Sequence, residues 1–295
     1  MRRRLPALVA TGAALAISLT GCFGAEKSGG AAEGGSGGSS GTEQKPMSPL
    51  EVVAASAQKT KTADTFKSLF SMKIKTAEGN VAMKGRMAYR TKPDMAFDQN
   101  ISSMQMGGRK LPGGMRQVLI NDVIYMKMQM LSSMTGGKPW LKMSLADLEQ
   151  KSGINVDQLM EQSQQMNPVT NTQMLTSSKD AKKVGTEEVG GVQTTHYTGT
   201  YDPEASMAKL DPKTREAAQK AMAGMKDMKF DLWVDDQQLP RKMVLRGKVA
   251  SKETGAGSMA MTMLFSDFGE PVNISAPPAS QTQDIKQMKG MRGGD

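Results

Sequence analysis

From Phe66 to Phe268 this chain keeps returning to one pattern, apolar residues at every second position, and no other feature restricts its fold as much. Phe66, Phe70, Met72 and Ile74 share one side of an extended chain, while Lys67, Lys73 and Lys75 take the other. After the turn Glu78-Gly79-Asn80, Val81, Met83, Met87 and Tyr89 alternate with Lys84 and Arg86, and Met95, Phe97 and Ile101 continue beyond Lys92-Pro93. Val118–Ile120 and Val123–Met126 flank Asn121-Asp122, a tight hairpin turn. Later strands are expected near Met174–Ser178, Ala181–Val189, Val192–Tyr201, Met228–Asp235, Arg241–Ala250 and Ser258–Phe268. Half-polar strands of this kind suit an antiparallel sheet with one face in water.

Helices are few. Ser48-Pro49-Leu50-Glu51 has the form of a capping box, and Leu50, Val53, Ala54 and Ala57 recur at helical spacing, so a helix is predicted over 49–62. Ser144 can cap a short helix to about Lys151, and Asn155 a second to about Met166, stopped by Asn167-Pro168. Asp202-Pro203 and Asp211-Pro212 are further helix starts, the second running to about Met225. The expected fold is α+β, a curved antiparallel sheet of about ten strands with helices over its concave side.

The N-terminus is of another kind. Arg2, Arg3 and Arg4 precede an apolar run from Leu5 to Leu19, as in a secretory signal. Leu19-Thr20-Gly21-Cys22 resembles the lipobox of bacterial lipoproteins, which implies a diacylglycerol on the sulfur of Cys22 and a new N-terminus there. Residues 1–21 are thus read as signal peptide, 22–46 as the acylated cysteine and a Gly/Ser-rich linker, 47–276 as one domain, and 277–295 as a disordered tail. Cys22 is the one cysteine, so no disulfide or cysteine metal site is expected. Of 38 basic and 29 acidic residues, Arg2, Arg3 and Arg4 leave with the signal, and the net charge falls from +9 to +6. The basic residues are dispersed among strands, without interleaved aromatics, and nucleic acid is a poor partner.

Candidate chemistry is sparse. His196, the one histidine, sits mid-strand with no Gly-x-Ser-x-Gly elbow to serve, and Glu187-Glu188 and Asp235-Asp236 read as solvated turn residues. No catalytic residue and no cofactor are expected. The 27 methionines, against 7 Phe, 4 Tyr and 2 Trp, demand an explanation. Three runs, Met104–Met106, Met126–Met130 and Met259–Met263, place thioethers on one strand face. Thioethers are soft ligands for Cu(I). Same-face positions on one strand are about 7 Å apart, however, and sulfurs meet on one ion only if the side chains bend together. A flexible apolar lining also accounts for them.

Val184-Gly185-Thr186-Glu187-Glu188-Val189-Gly190-Gly191-Val192-Gln193-Thr194-Thr195-His196-Tyr197 resembles a hairpin of actinobacterial LprG/LppX-type lipoproteins. Phe230–Asp235, the turn Leu239–Lys242, and Phe265–Gly269 followed by Pro277-Pro278 resemble segments that follow it in that family. The resemblance, shared in architecture with LolA-like carriers, implies a half-barrel of about eleven strands around an apolar cavity for acylated lipid, without catalysis. With the lipobox at Cys22, the chain is read as a monomer anchored at the extracytoplasmic face of the cell membrane. The methionine-heavy, aromatic-poor interior departs from a dedicated glycolipid carrier, so the ligand's identity does not carry over. The expected cavity lining is Met72, Ile74, Met83, Met87, Met95, Phe97, Met126, Met128, Leu232, Val234, Met243, Leu245, Met261, Met263 and Phe265. A Cu(I)-handling envelope protein and a surface module with a filled interior are the rival expectations.

Overall fold

The computed structural model describes residues 46–129, 135–147, 168–208, 210, 215, 219, 222, 224–251 and 255–287. Pro46–Asp295 forms a compact unit by itself. The signal peptide, Cys22 and linker expected over 1–45 lie outside the described residues, as do the helix expected over 155–166 and most of the one expected over 211–225.

Helix α1 (Pro49–Thr62) begins where its capping box places it. The Ser48 amide donates to Glu51 Oε2 at 2.6 Å, and the Glu51 amide to Ser48 Oγ at 3.4 Å. Strands β1 (Thr65–Thr76), β2 (Gly79–Arg90) and β3 (Ala96–Met106) follow as a meander, then β4 (Arg109–Leu111), β5 (Met115–Ile120), β6 (Val123–Met128) and β7 (Trp140–Ser144). The β5–β6 turn has Asn121 and Asp122 at φ 51° and 57°, the left-handed pair a two-residue hairpin requires. Ser144 caps the helical turn 145–147, its Oγ accepting from the Asp147 amide at 3.1 Å. The continuation to Lys151 lies outside the described residues. Helix α2 (Pro168–Leu175), β8 (Lys182–Val189), β9 (Val192–Tyr201), α3 (Pro203–Met207), β10 (Lys226–Val234), β11 (Pro240–Ser251), β12 (Gly255–Ser266) and β13 (Thr282–Asp284) complete the order.

Among the described residues one sheet holds thirteen strands, in the order β13-β7-β6-β5-β3-β2-β1-β12-β11-β10-β9-β8, with β4 beside β3. It is open, ending in β8 and β13, and curved. The α+β reading therefore holds, with more strands than the ten or eleven expected. The extra ones are short, and runs such as Arg109–Leu111 and Thr282–Asp284 are too brief to show alternation.

Two expectations are corrected. Met174, placed in a strand near 174–178, lies in α2, and Pro168, read as a stop, is the first residue of that helix. A proline's missing N–H costs nothing in the first helical turn, so it marks a start as readily as an end. The tail read as disordered from 277 is ordered through Gln287. Thr282–Asp284 pairs in parallel with Trp140–Lys142, and Ile274 is buried against Ala96, Val118 and Trp140. This segment covers an outward patch of the sheet that alternation alone would leave in water.

The inner face carries the core. Val53 of α1 and Leu175 of α2 are buried with Phe70, Ile101, Tyr197, Phe230, Leu232, Met243, Leu245, Met263 and Phe265. A second cluster gathers Phe66, Met87, Tyr89, Phe97, Leu119 and Ile124, with Phe66 stacked on Tyr89 at 5.1 Å. Glycines make room for the large rings. Phe230 faces Gly199 and Phe70 faces Gly85 across neighbouring strands, and a Cβ on either glycine would come within 2.8 or 2.6 Å of the ring.

Candidate functional site

The pairing register puts the expected lining on one face, the inner one. Met72 lies opposite Met261 and Met83; Met87 and Phe97 follow on β2 and β3, and Met126 and Met128 on β6. Leu232, Val234, Met243, Leu245, Met263 and Phe265 continue across β10–β12. Met95 precedes β3 and packs on the Phe66 cluster.

Burial separates two groups. Met87, Phe97, Leu232, Val234, Met243, Leu245, Met263 and Phe265 are buried core. Met72, Ile74, Met83, Met95, Met126, Met128 and Met261 are half-buried, although they share the face of the core. The half-buried group forms a surface. Met104 and Met115 belong to it and were missing from the expected lining. A β-bulge between Lys84 and Gly85 puts β3 out of strict alternation, so Met104 shares a face with Ile101 and not with Ser102.

At the β3–β6 end Met104, Leu111, Pro112, Gly114, Met115, Met128 and Gln129 line an apolar pocket of about 280 Å³. A larger, open pocket of about 1420 Å³ lies at the end of β9–β11, and its lining includes Tyr201, Met207, Met222, Met225 and Met228. Its charges nearly offset. Lys226, Lys229, Arg246 and Lys248 face Asp202, Glu204 and Asp227, and Lys248 Nζ is 2.6 Å from Asp227 Oδ2. None of the expected lining residues borders it. Size alone does not make it the site, because its walls are charged and open.

Part of the segments that carried the family resemblance, Glu187, His196, Asp231 and Trp233, sits on the other face. His196 stacks on Trp233 with ring centroids 4.2 Å apart, and Lys242 Nζ lies 3.9 Å over the same indole. His196 Nε2 is 2.9 Å from Asp231 Oδ1, Arg246 pairs with Asp231, and the Trp233 indole N–H donates to Glu187. Glu187 is thus a strand residue and not a turn residue, solvent-exposed as expected, with its carboxylate accepting from a tryptophan. Asp235 is also corrected. Its side chain is 1% exposed, accepts from the amides of Gln237 and Leu239 at 2.9 and 2.8 Å, and pairs with Arg241 at 2.6 Å. Among the described residues no three of His, Cys, Asp or Glu gather as a metal site.

Burial pushes the Asp231 carboxyl up, but hydrogen bonds from His196, Arg246 and Thr198 outweigh it and hold the group below the ordinary carboxylate range. A depressed carboxylate stabilises the fold above its unfolded pKa of about 3.9 and loses that contribution as pH falls through the lower folded value. Thermal midpoints from neutral pH to about pH 2 should fall on acidification. Asp231→Asn should lower the neutral midpoint and flatten the acid limb, and an unchanged limb in the variant would refute this role.

Against known proteins, residues 145–274 match the LppX_LprAFG lipoprotein family. The likeness to that family covers 130 residues of the chain and leaves residues 46–144 outside the matched span. Two curated relatives come from Streptomyces. An uncharacterized 31.2 kDa protein of Streptomyces griseus is 36% identical over 190 residues, 62% of this chain and 60% of that one. A putative lipoprotein of Streptomyces coelicolor is 30% identical over 173 residues, 58% of this chain and 52% of that one. The match thus spans between half and three-fifths of each relative. Among solved structures, LprF from Mycobacterium bovis superposes with a TM-score of 0.48 at 14% identity, covering 78% of this chain and 96% of that one. LppX from Mycobacterium tuberculosis gives 0.44 at 18%, covering 77% and 98%. The family match takes in β8–β12, including the Glu187–His196–Trp233 cluster that the LppX_LprAFG-type sequence motifs mark.

Proposed function

We propose that this protein is of the LppX_LprAFG type and binds lipid by its acyl portion on the inner sheet face, without catalysis, while Cys22 anchors it at the extracytoplasmic side of the membrane. The observation that carries the reading is the half-buried methionine surface. A filled interior would bury these side chains like Met243 and Met263, which are 0% and 3% exposed. Met72, Met83, Met126 and Met261 instead keep apolar surface available beside a packed core. Burying an acyl chain contributes about 0.8 kcal/mol per methylene, so an apolar groove suffices for tight binding. A diacylated cysteine supplies two chains, enough for stable anchoring.

Native mass spectrometry of the chain from Pro46 onward, which lacks Cys22, tests the reading. Adducts at lipid masses, lost on delipidation and restored by added phospholipid, are expected. A mass that stays that of the bare chain after lipid is added would overturn it, and a copper adduct in its place would favour the Cu(I) reading.

A further inference from the structure

We infer, building on lipid binding at the inner face, that a single straight acyl tail lies across the strands along Met261, Met72, Met83 and Met104, with its methyl end in the pocket walled by Leu111, Met115 and Met128. The row is fixed by register. Met261 of β12 pairs with Met72 of β1, Met72 with Met83 of β2, and Met83 with Met104 of β3. Four adjacent strands therefore place a thioether at the same height. At about 4.8 Å per strand the row is about 14 Å long; at Met104 it opens into the pocket, where Leu111 pairs with Met104, and Met115 and Met128 form the wall one row over, opposite Ile101. A bilayer's hydrocarbon core of about 30 Å holds two opposed layers of tails, so one tail fills about 15 Å and the row plus pocket accommodates a long one.

The row is one tail wide. On one side run Met263, Phe70 and Ile101, buried in the cluster that holds Val53, with Gly85 between the last two; on the other run the buried Met259, then Ile74, Val81 and Met106, next to the polar β1–β2 turn. No ring and no hydrogen-bond donor lies in the row, so it reads a hydrocarbon tail and ignores the headgroup. Thioethers follow a mobile chain better than branched side chains do.

The direction follows from the two ends. The β3–β6 pocket, about 280 Å³, is at the lower limit of ligand sites and suits a tail end, not a whole lipid. Its loop is held tightly. A Cβ on Gly113 would come within 2.7 Å of Gln129, and one on Gly114 within 2.4 Å of the Ile101 carbonyl oxygen. Toward β11 the row leads to Leu245, two residues before Gly247 in the lining of the open, charged pocket, and a polar headgroup belongs at that end.

Displacement of a fluorescent fatty acid from the chain beginning at Pro46 provides the test, with caprylate, laurate, palmitate and stearate as competitors. Affinity should rise about ten-fold for every two methylenes, up to the length the track accommodates. Met128→Trp should fill the pocket and reduce palmitate and stearate to the affinity of laurate, leaving laurate unchanged. Met128→Ala should extend the preference toward stearate, and Met83→Asp should abolish binding of all four, each variant being assayed well below its own melting midpoint. If palmitate binds the parent and all three variants equally, the tail lies elsewhere and the track is wrong while lipid binding stands. If the parent binds none of the four, lipid binding itself fails.

Discussion

Phe230→Ala should lower the stability of this protein by about 3–5 kcal/mol, which for a domain of this size is a fall of roughly 6–20 °C in Tm. Phe230 is fully buried, joins β10 to the helices through the cluster that holds Val53 and Leu175, and lies against the bare backbone of Gly199. Removing the ring leaves a cavity that neither neighbouring strand can close, because Gly199 has no side chain to move into it. Gly199→Ala should also destabilise, since its new methyl meets the ring at 2.8 Å, but it should cost little in a chain already carrying Phe230→Ala. By contrast Met83→Ala, on the half-buried row, should cost well under half as much. Thermal melts followed by tryptophan fluorescence would measure all four chains. Equal losses for Phe230→Ala and Met83→Ala would show that core and groove had been wrongly divided.

Asp235→Ala should cost a similar amount, about 3–5 kcal/mol, for a different reason. The substitution leaves Arg241, itself largely buried, without its counter-charge and deprives two turn amides of their acceptor. Asp235→Asn retains an acceptor oxygen and should lose less. Urea midpoints for the two variants settle the matter. If alanine and asparagine behaved alike, the ion pair and not the turn would carry the stability.

Much of this architecture was legible because local chemistry and global fold agree. The capping box at Ser48 fixed the start of α1, and Asn121-Asp122 and Gly190-Gly191 fixed two hairpins through residues that accept positive φ. Alternation also put the expected lining on a single face. It could not say which of those residues the helices cover, since Met243 and Met261 look alike in sequence and differ only in what packs above them. The bulge that brings Met104 into line leaves no mark in composition, and Asp235 looks like any turn aspartate until Arg241 is seen beside it. The tail from 277 was missed because polar residues with proline and glycine signal disorder, whereas three backbone pairings are enough to seat it.

The pairing of β1 with β12 also governs the order in which this protein can fold. Lys67 meets Ser266 and Thr76 meets Gly257, so strands from opposite ends of the domain are neighbours at the centre of the sheet. Such a contact closes a loop of nearly the whole domain, and chains dominated by distant contacts fold slowly. Met261 joins Met72 only when β12 arrives, so the groove is assembled last and its thioethers stay exposed until then. On the proposed reading, a newly made chain could hold no tail before its final strands are in place, and for that interval its methionines are open to association with other unfolded chains.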